Sequence, residues 1–323
     1  MALSYEYSIG SVRAREVSLF SNADIERFLS CKSSDELKAA LKEKNYGEGE
    51  TVDEIIDDHS EKTWKYLRSV APDPEIFTPF ILPNDVHNLK VVLKGTLADR
   101  DYEQLLLSPV TIGVDRLREA VEQRRHDLLP EWLSAYSDEA YSILAHKGDA
   151  RLSDAALDKA LSKELLRLSE KSDAKFLHDY FLRFIYYNNL KVAIRGARAG
   201  AGREYLHKAL VRIEGFDRRA VIDAAVKGLS PLLEYLSKRS EYDCNKAVES
   251  YKVSPAEFEK FTDNRLIACA VESCRRTCEG AAPLLGYYLG CEAEKKALHI
   301  IDGGLRTLTP VDVIRERMRE LYG

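Results

Sequence analysis

The sequence has no long hydrophobic run. Its longest uncharged stretches reach about a dozen residues, as from Ala281 to Cys291, and that one is broken by Pro283, Gly286 and Gly290. A helix that crosses a bilayer needs roughly 20 apolar residues, so a membrane span is excluded. The opening stretch carries Glu6, Arg13, Arg15 and Glu16 in place of a signal-peptide core, which reads as a soluble, non-secreted protein. Cysteine is scarce. Six in 323 residues imply reduced thiols of a cytosol-type compartment rather than a disulfide framework. Cys274 and Cys278 stand four apart and are able to share a helix face. No second Cys/His pair stands at a matching interval, so core or partly buried thiols are expected, and no metal site. Surplus positive charge is missing too. With 48 Lys and Arg against 53 Asp and Glu the net charge is -5, which does not support a basic stripe for nucleic acid.

Signs of bond chemistry are equally sparse. The seven histidines are scattered without an HExxH pair, no serine elbow occurs, and no two carboxylates stand out by spacing. The glycine-rich basic segment Arg195 to Arg203 follows a helical pattern rather than a strand and lacks the Gly-Lys-Ser/Thr of a phosphate loop. It reads as a turn or basic contact surface. No catalytic residue, cofactor or metal ligand is therefore expected.

What is present is a helical rhythm. Phe176, Leu177, Tyr180, Phe181, Phe184 and Ile185 recur at three- and four-residue steps, as do Leu157, Leu161, Leu165 and Leu168. Ser33 with Glu36, Thr51 with Glu54, and Ser254 with Glu257 have the capping-box spacing of helix starts. Sustained strand alternation is absent. The stretch holding Pro72, Pro74, Pro79 and Pro83 reads as an ordered connecting loop. The fold class is all-α.

Internal repetition is the most informative feature. Asn88-Leu89-Lys90-Val91-Val92-Leu93-Lys94-Gly95 returns as Asn189-Leu190-Lys191-Val192-Ala193-Ile194-Arg195-Gly196. A degraded third copy runs Ala297-Leu298-His299-Ile300-Ile301-Asp302-Gly303-Gly304. Each follows a long helix-like stretch beginning near Thr51, Ser153 or Ser254, and each precedes a shorter amphipathic segment, such as Tyr205 to Ile213 or Val311 to Leu321. Three similar helical units are expected, at 1–108, 109–205 and 206–323, with the two chain ends able to complete one lobe together. Within the motif the aliphatic positions face a core. Lys90 and Lys94, or Lys191 and Arg195, place positive charge near a helix C-terminus, and the glycine supplies its left-handed termination. Asn88 and Asn189 are expected to bridge structurally, to a neighbouring repeat, rather than to bind a ligand. The acidic excess is concentrated in 1–108, with 13 basic and 20 acidic residues, and suits a solvated face or a surface for a basic partner.

These features carry a family resemblance over essentially the whole chain. The three units, the Asn-Leu-Lys motif before a glycine, the opening Tyr5-Glu6-Tyr7 with Val12-Arg13-Ala14-Arg15-Glu16, the Leu37, Leu41, Tyr46 segment, and the ending Ile314 to Tyr322 resemble the C subunits of V/A-type ATPases, whose eukaryotic counterpart is the d subunit. The third copy departs from that pattern at Ala297 and Asp302. The resemblance implies a three-lobed funnel of helices with pseudo-threefold symmetry. It implies a cytoplasmic, peripheral, non-catalytic adaptor of the central stalk, whose partners are the D and F subunits of the rotor shaft and the membrane proteolipid ring. A helical scaffold for an unrelated partner and an unrecognised helical hydrolase are the alternatives.

Overall fold

The computed structural model describes residues 4–323, and among them it contains sixteen α-helices and no strand. The first four are α1 (Tyr5–Glu16), α2 (Asn22–Leu29), α3 (Ser34–Glu43) and α4 (Val52–Val70). Next come α5 (Thr78–Ala98), α6 (Val114–Glu122), α7 (Glu131–Lys147), α8 (Ala150–Lys171) and α9 (Lys175–Arg198). Then follow α10 (Arg203–Ala209), α11 (Arg218–Ala225), α12 (Leu229–Leu236) and α13 (Cys244–Val253). The last are α14 (Pro255–Cys274), α15 (Ala282–Arg306) and α16 (Val311–Arg317). None is long and apolar enough to cross a membrane.

The chain divides into two compact units, one made of the residues up to Pro74 with Glu249–Gly323, the other of Glu75–Val248. In the first, α15 packs against α1, α3, α4, α14 and α16. Its core joins Phe20, Phe28, Leu37, Leu41, Ile55 and Ile56 to Leu298, Ile301 and Ile314. Arg13 ties α1 to the end of α14, because its Nη2 donates to the carbonyls of Cys274 at 2.8 Å and Thr277 at 2.7 Å. Those carbonyls lie at or beyond the helix end, where no intrahelical amide reaches them. In the second unit, α8 packs against α5, α7, α9 and α10, while α9 also meets α11 and α12. The expected stripes point inward, with Leu157, Leu161, Leu165, Leu177, Phe181 and Ile185 all buried.

Local signals set most helix starts. The hydroxyls of Ser33, Thr51 and Ser254 each accept the amide three residues on, at 3.0 to 3.2 Å. Glu36 and Glu54 reach back one residue further than a capping box requires, to the amides of Lys32 and Glu50. The complete box lies at Ser21 and Asp24. Ser153 is inside α8, whose cap is Asp149, and its hydroxyl donates to the Ala140 carbonyl at 2.9 Å. The proline stretch is mostly helix. Pro79 occupies the first turn of α5, where proline needs no amide hydrogen, and Pro83 lies inside the helix, where the missing amide forgoes one backbone bond.

Candidate functional site

The repeat motif organises the inner face of α5. Asn88, Leu89, Val92, Leu93 and Gly95 are buried, and Asn88 is 0 % exposed. The Asn88 amide nitrogen donates to the carbonyl of Leu107 at 2.9 Å, while its oxygen accepts the Leu107 amide at 2.8 Å. The chain that leaves the helix thus returns along it. His87 Nε2 donates to the Leu105 carbonyl at 2.9 Å, and Asn84 to that of Pro109 at 2.9 Å. Asp85 accepts from the amides of Thr111 and Ile112 at 2.9 and 3.0 Å and from the Thr111 hydroxyl at 2.5 Å. Burial pushes the Asp85 carboxyl above its ordinary range, against these hydrogen bonds.

The second copy repeats the device. Asn189 donates to the Val211 carbonyl at 2.8 Å and accepts its amide at 2.9 Å, with both residues buried. Asn88 thus reaches Leu107 inside its own sequence unit rather than a neighbouring repeat, and in both copies an extended segment without a partner strand uses the asparagine side chain as one.

The motif glycines do something other than end helices. Gly95, Gly196 and Gly304 all lie within their helices, and α5 ends instead at Asp99, which holds the left-handed conformation with φ 49°. Each glycine admits the returning chain. A Cβ at Gly95 would collide with the Tyr102 ring, one at Gly196 would stand 2.9 Å from Leu206 Cδ2, and one at Gly304 would collide with Ile314. The first-copy lysines are also placed differently from expectation. Lys90 pairs with Asp158, and Lys94 with Asp154 at 2.7 Å, so two basic residues four apart on α5 face two acidic residues four apart on α8. Neither lysine belongs to the last turn of α5, whereas Arg195 does belong to the last turn of α9, where its charge meets the helix dipole. Lys191 stands one turn earlier on α9.

The third copy achieves the same return by other means. Ala297 has no side-chain amide to offer, and the chain from the last turn of α16 onward is held from α14 instead. Asn264 Oδ1 accepts the Glu320 amide at 3.0 Å, Asp263 accepts from Arg319 Nε at 3.0 Å, and Lys260 donates to the Glu316 carbonyl at 2.6 Å. Asp302, in the Leu93 position, is buried and pairs with Arg306 at 2.6 Å, and Arg306 also reaches Asp53 at 2.8 Å. Polar contacts thus take over from an aliphatic one.

The sequence of residues 8–317 matches the family model described as ATP synthase (C/AC39) subunit. The chain belongs to that family. It is 21% identical over 319 residues to the C subunit of the V-type sodium ATPase of Enterococcus hirae, covering 96% of this chain and 97% of that one. It is 23% identical to the C subunit of the A-type ATP synthase of Methanocaldococcus jannaschii, covering 96% and 85%. The C subunit of the V-type ATP synthase of Thermus thermophilus is 24% identical over 208 residues, covering 60% and 64%.

In this C/AC39 family member the remaining sequence signals resolve as follows. The acidic residues between 43 and 61 are extensively engaged. Glu43 pairs with Arg27, Glu61 with Lys65 at 2.6 Å, and Asp58 both pairs with Lys62 at 2.7 Å and accepts the Glu48 amide at 2.7 Å. Charge reversal at Asp58 would therefore disturb local structure as well as surface charge. Arg203, ending the glycine-rich segment, pairs with Asp223 at 2.6 Å. Cys274 is the last residue of α14, so Cys278 lies beyond the helix; the first is buried and the second exposed. Among the described residues one group of side chains has metal-ligand character, namely His59, Cys291 and Glu294, whose ligand atoms lie within 4.8 Å of one another. Sequence reading missed it because His59 and Cys291 are 232 positions apart; the only local signal is the three-residue step from Cys291 to Glu294.

Proposed function

We propose that this chain is a non-catalytic adaptor of a V/A-type ATPase. It stands on the cytoplasmic face of the membrane and passes torque between a shaft made of the D and F subunits and the ring of proteolipids. The observation that carries this reading is the family match over residues 8–317, together with relatives named as C subunits of V-type and A-type machines. The three sequence units, 1–108, 109–205 and 206–323, as lobes of a pseudo-threefold funnel belong to the same proposal.

Physical features agree with the role. A torque coupler must not yield at its connections, and the motif fastens the segment after a helix back onto that helix through paired side-chain to backbone bonds. Stiffness of this kind asks for neither a cofactor nor a titrating catalytic group. Asn88 and Asn189 act as fasteners in this reading. Lys90, Lys94, Lys191 and Arg195 supply the structural and interface charge beside them.

The test is an affinity pull-down of the tagged chain from detergent-solubilised native membranes, read by mass spectrometry. Recovery of D-type and F-type subunits with a small proteolipid is expected. Recovery of soluble proteins alone would overturn the reading.

A further inference from the structure

We propose that His59, Cys291 and Glu294 form a binding site for a zinc-class divalent cation. Cys291 and Glu294 stand three apart on α15, which puts both on one side of that helix. His59 comes from α4, which packs against α15 in the same unit. The three ligand atoms fall within 4.8 Å of one another. Tetrahedral zinc holds nitrogen, oxygen and sulfur at about 2.0 to 2.3 Å, so closing on the ion requires the side chains to draw in by about 1 Å.

The surroundings orient the ligands. His59 Nδ1 lies 2.6 Å from the Tyr46 carbonyl, which can only accept, so the ring proton sits on Nδ1 and a lone pair remains on Nε2. Nε2 is buried and has no hydrogen-bond partner. A backbone carbonyl behind one ring nitrogen is the usual support of a metal-binding histidine, since it sets both tautomer and ring angle. The Tyr46 ring stacks on the imidazole with centroids 3.8 Å apart and planes 9° apart, which restrains the ring further. On Glu294 one carboxyl oxygen accepts the Phe20 amide, leaving the other oxygen for a ligand.

Charge explains why a cation suits this place. Cys291 and Glu294 are 5 % and 3 % exposed. A divalent ion that displaces the thiol proton leaves a thiolate, a carboxylate and a neutral imidazole. The two positive charges of the ion cancel those two negative charges, and the thiol proton passes to solvent. A thiolate ligand disfavours magnesium and calcium, and the N, S, O set suits zinc, with water in the fourth position. Bound there, the ion would pin α4 to α15.

The test uses the full chain, stripped with a chelator and titrated with Zn²⁺ against a chromogenic competitor, then with Co²⁺ as a spectroscopic probe. One ion per chain is expected, with a thiolate-to-cobalt charge-transfer band. Cys291→Ser and His59→Gln should each weaken binding at least about tenfold while keeping the helical circular dichroism of the parent. Cys278→Ser, which alters the exposed cysteine, should bind as the parent does. Absence of the band in the parent chain would overturn the proposal, and that reading does not depend on whether a variant folds. So would a band that disappears in Cys278→Ser and survives in Cys291→Ser.

Discussion

The Asn88 side chain and the Leu107 backbone exchange two hydrogen bonds, at 2.9 and 2.8 Å, in the manner of neighbouring strands. Asn189 and Val211 repeat the exchange, but Val211 is buried whereas Leu107 is 45 % exposed. Loss of the asparagine strands a backbone amide and a carbonyl in each case. Water is able to replace the side chain only near Leu107. Asn189→Ala is therefore expected to destabilise by roughly 2–3 kcal/mol and Asn88→Ala by nearer 1 kcal/mol. Urea unfolding followed by circular dichroism measures both, and an equal or reversed order would count against the clasp.

The motif glycines oppose two effects of known sign. Alanine in a helix interior normally stabilises by about 1 kcal/mol relative to glycine. At Gly95 and Gly304 the added methyl would meet Tyr102 and Ile314, and overpacking of this kind costs roughly 1–3 kcal/mol. Gly95→Ala and Gly304→Ala should thus both lower the unfolding midpoint. Gly303→Ala, which has open space around it, should leave the midpoint unchanged or raise it.

Asp85 supplies a pH dependence with a definite sign. Its carboxyl is held above the ordinary aspartate range by burial, so the folded chain binds that proton more tightly than the unfolded chain does. This stability is present in full below the unfolded value, near pH 4, and is lost as pH rises through the higher folded value. Asp85→Asn keeps an oxygen for the amides of Thr111 and Ile112 and removes the charge. The stability of the variant relative to the parent should therefore increase between pH 4 and neutrality, as read by urea unfolding at a series of pH values.

Thiol reactivity should follow burial. Cys278 is exposed, while burial pushes Cys244 up to about 11 and Cys274 up to about 12. At pH 8 a thiol of pKa 11 is roughly one-thousandth thiolate, and only the thiolate attacks. Alkylation followed by peptide mapping should label Cys278 first and leave Cys244 and Cys274 unmodified until the chain unfolds.

Lys94 and Asp154 allow structural and interface roles to be separated. Their side chains are 44 % and 33 % exposed, and a pair of this kind contributes less than about 1 kcal/mol. Lys94→Ala is expected to leave the unfolding midpoint nearly unchanged. A large loss of partner recovery in the pull-down would then report an interface role for this lysine.

Much of this was legible from residue order alone because helical physics is local. Apolar steps of three and four, and hydroxyls three residues ahead of an amide, act within one or two turns, and Thr51, Ser254 and the stripe from Leu177 to Ile185 do what their spacing implies. The same logic misplaced Pro83, which lies inside α5, and Ser153, whose hydroxyl bonds the Ala140 carbonyl of α7 instead of capping α8. Repetition marked Asn88 and Asn189 as important without naming their partners.

Partners were decided only in three dimensions. Whether a glycine ends a helix or admits a neighbouring chain depends on what lies over it, and Tyr102, Leu206 and Ile314 lie over the three motif glycines. His59 and Cys291 meet because α4 and α15 pack together, and no local pattern encodes that meeting. Residue order by itself determined the helical class, the motif repetition and the family, since these rest on short-range periodicity and on similarity along the chain. The clasps, the ion ladder and the His59, Cys291 and Glu294 trio arose from long-range packing, which selects one set of pairings among many that the same local pattern permits.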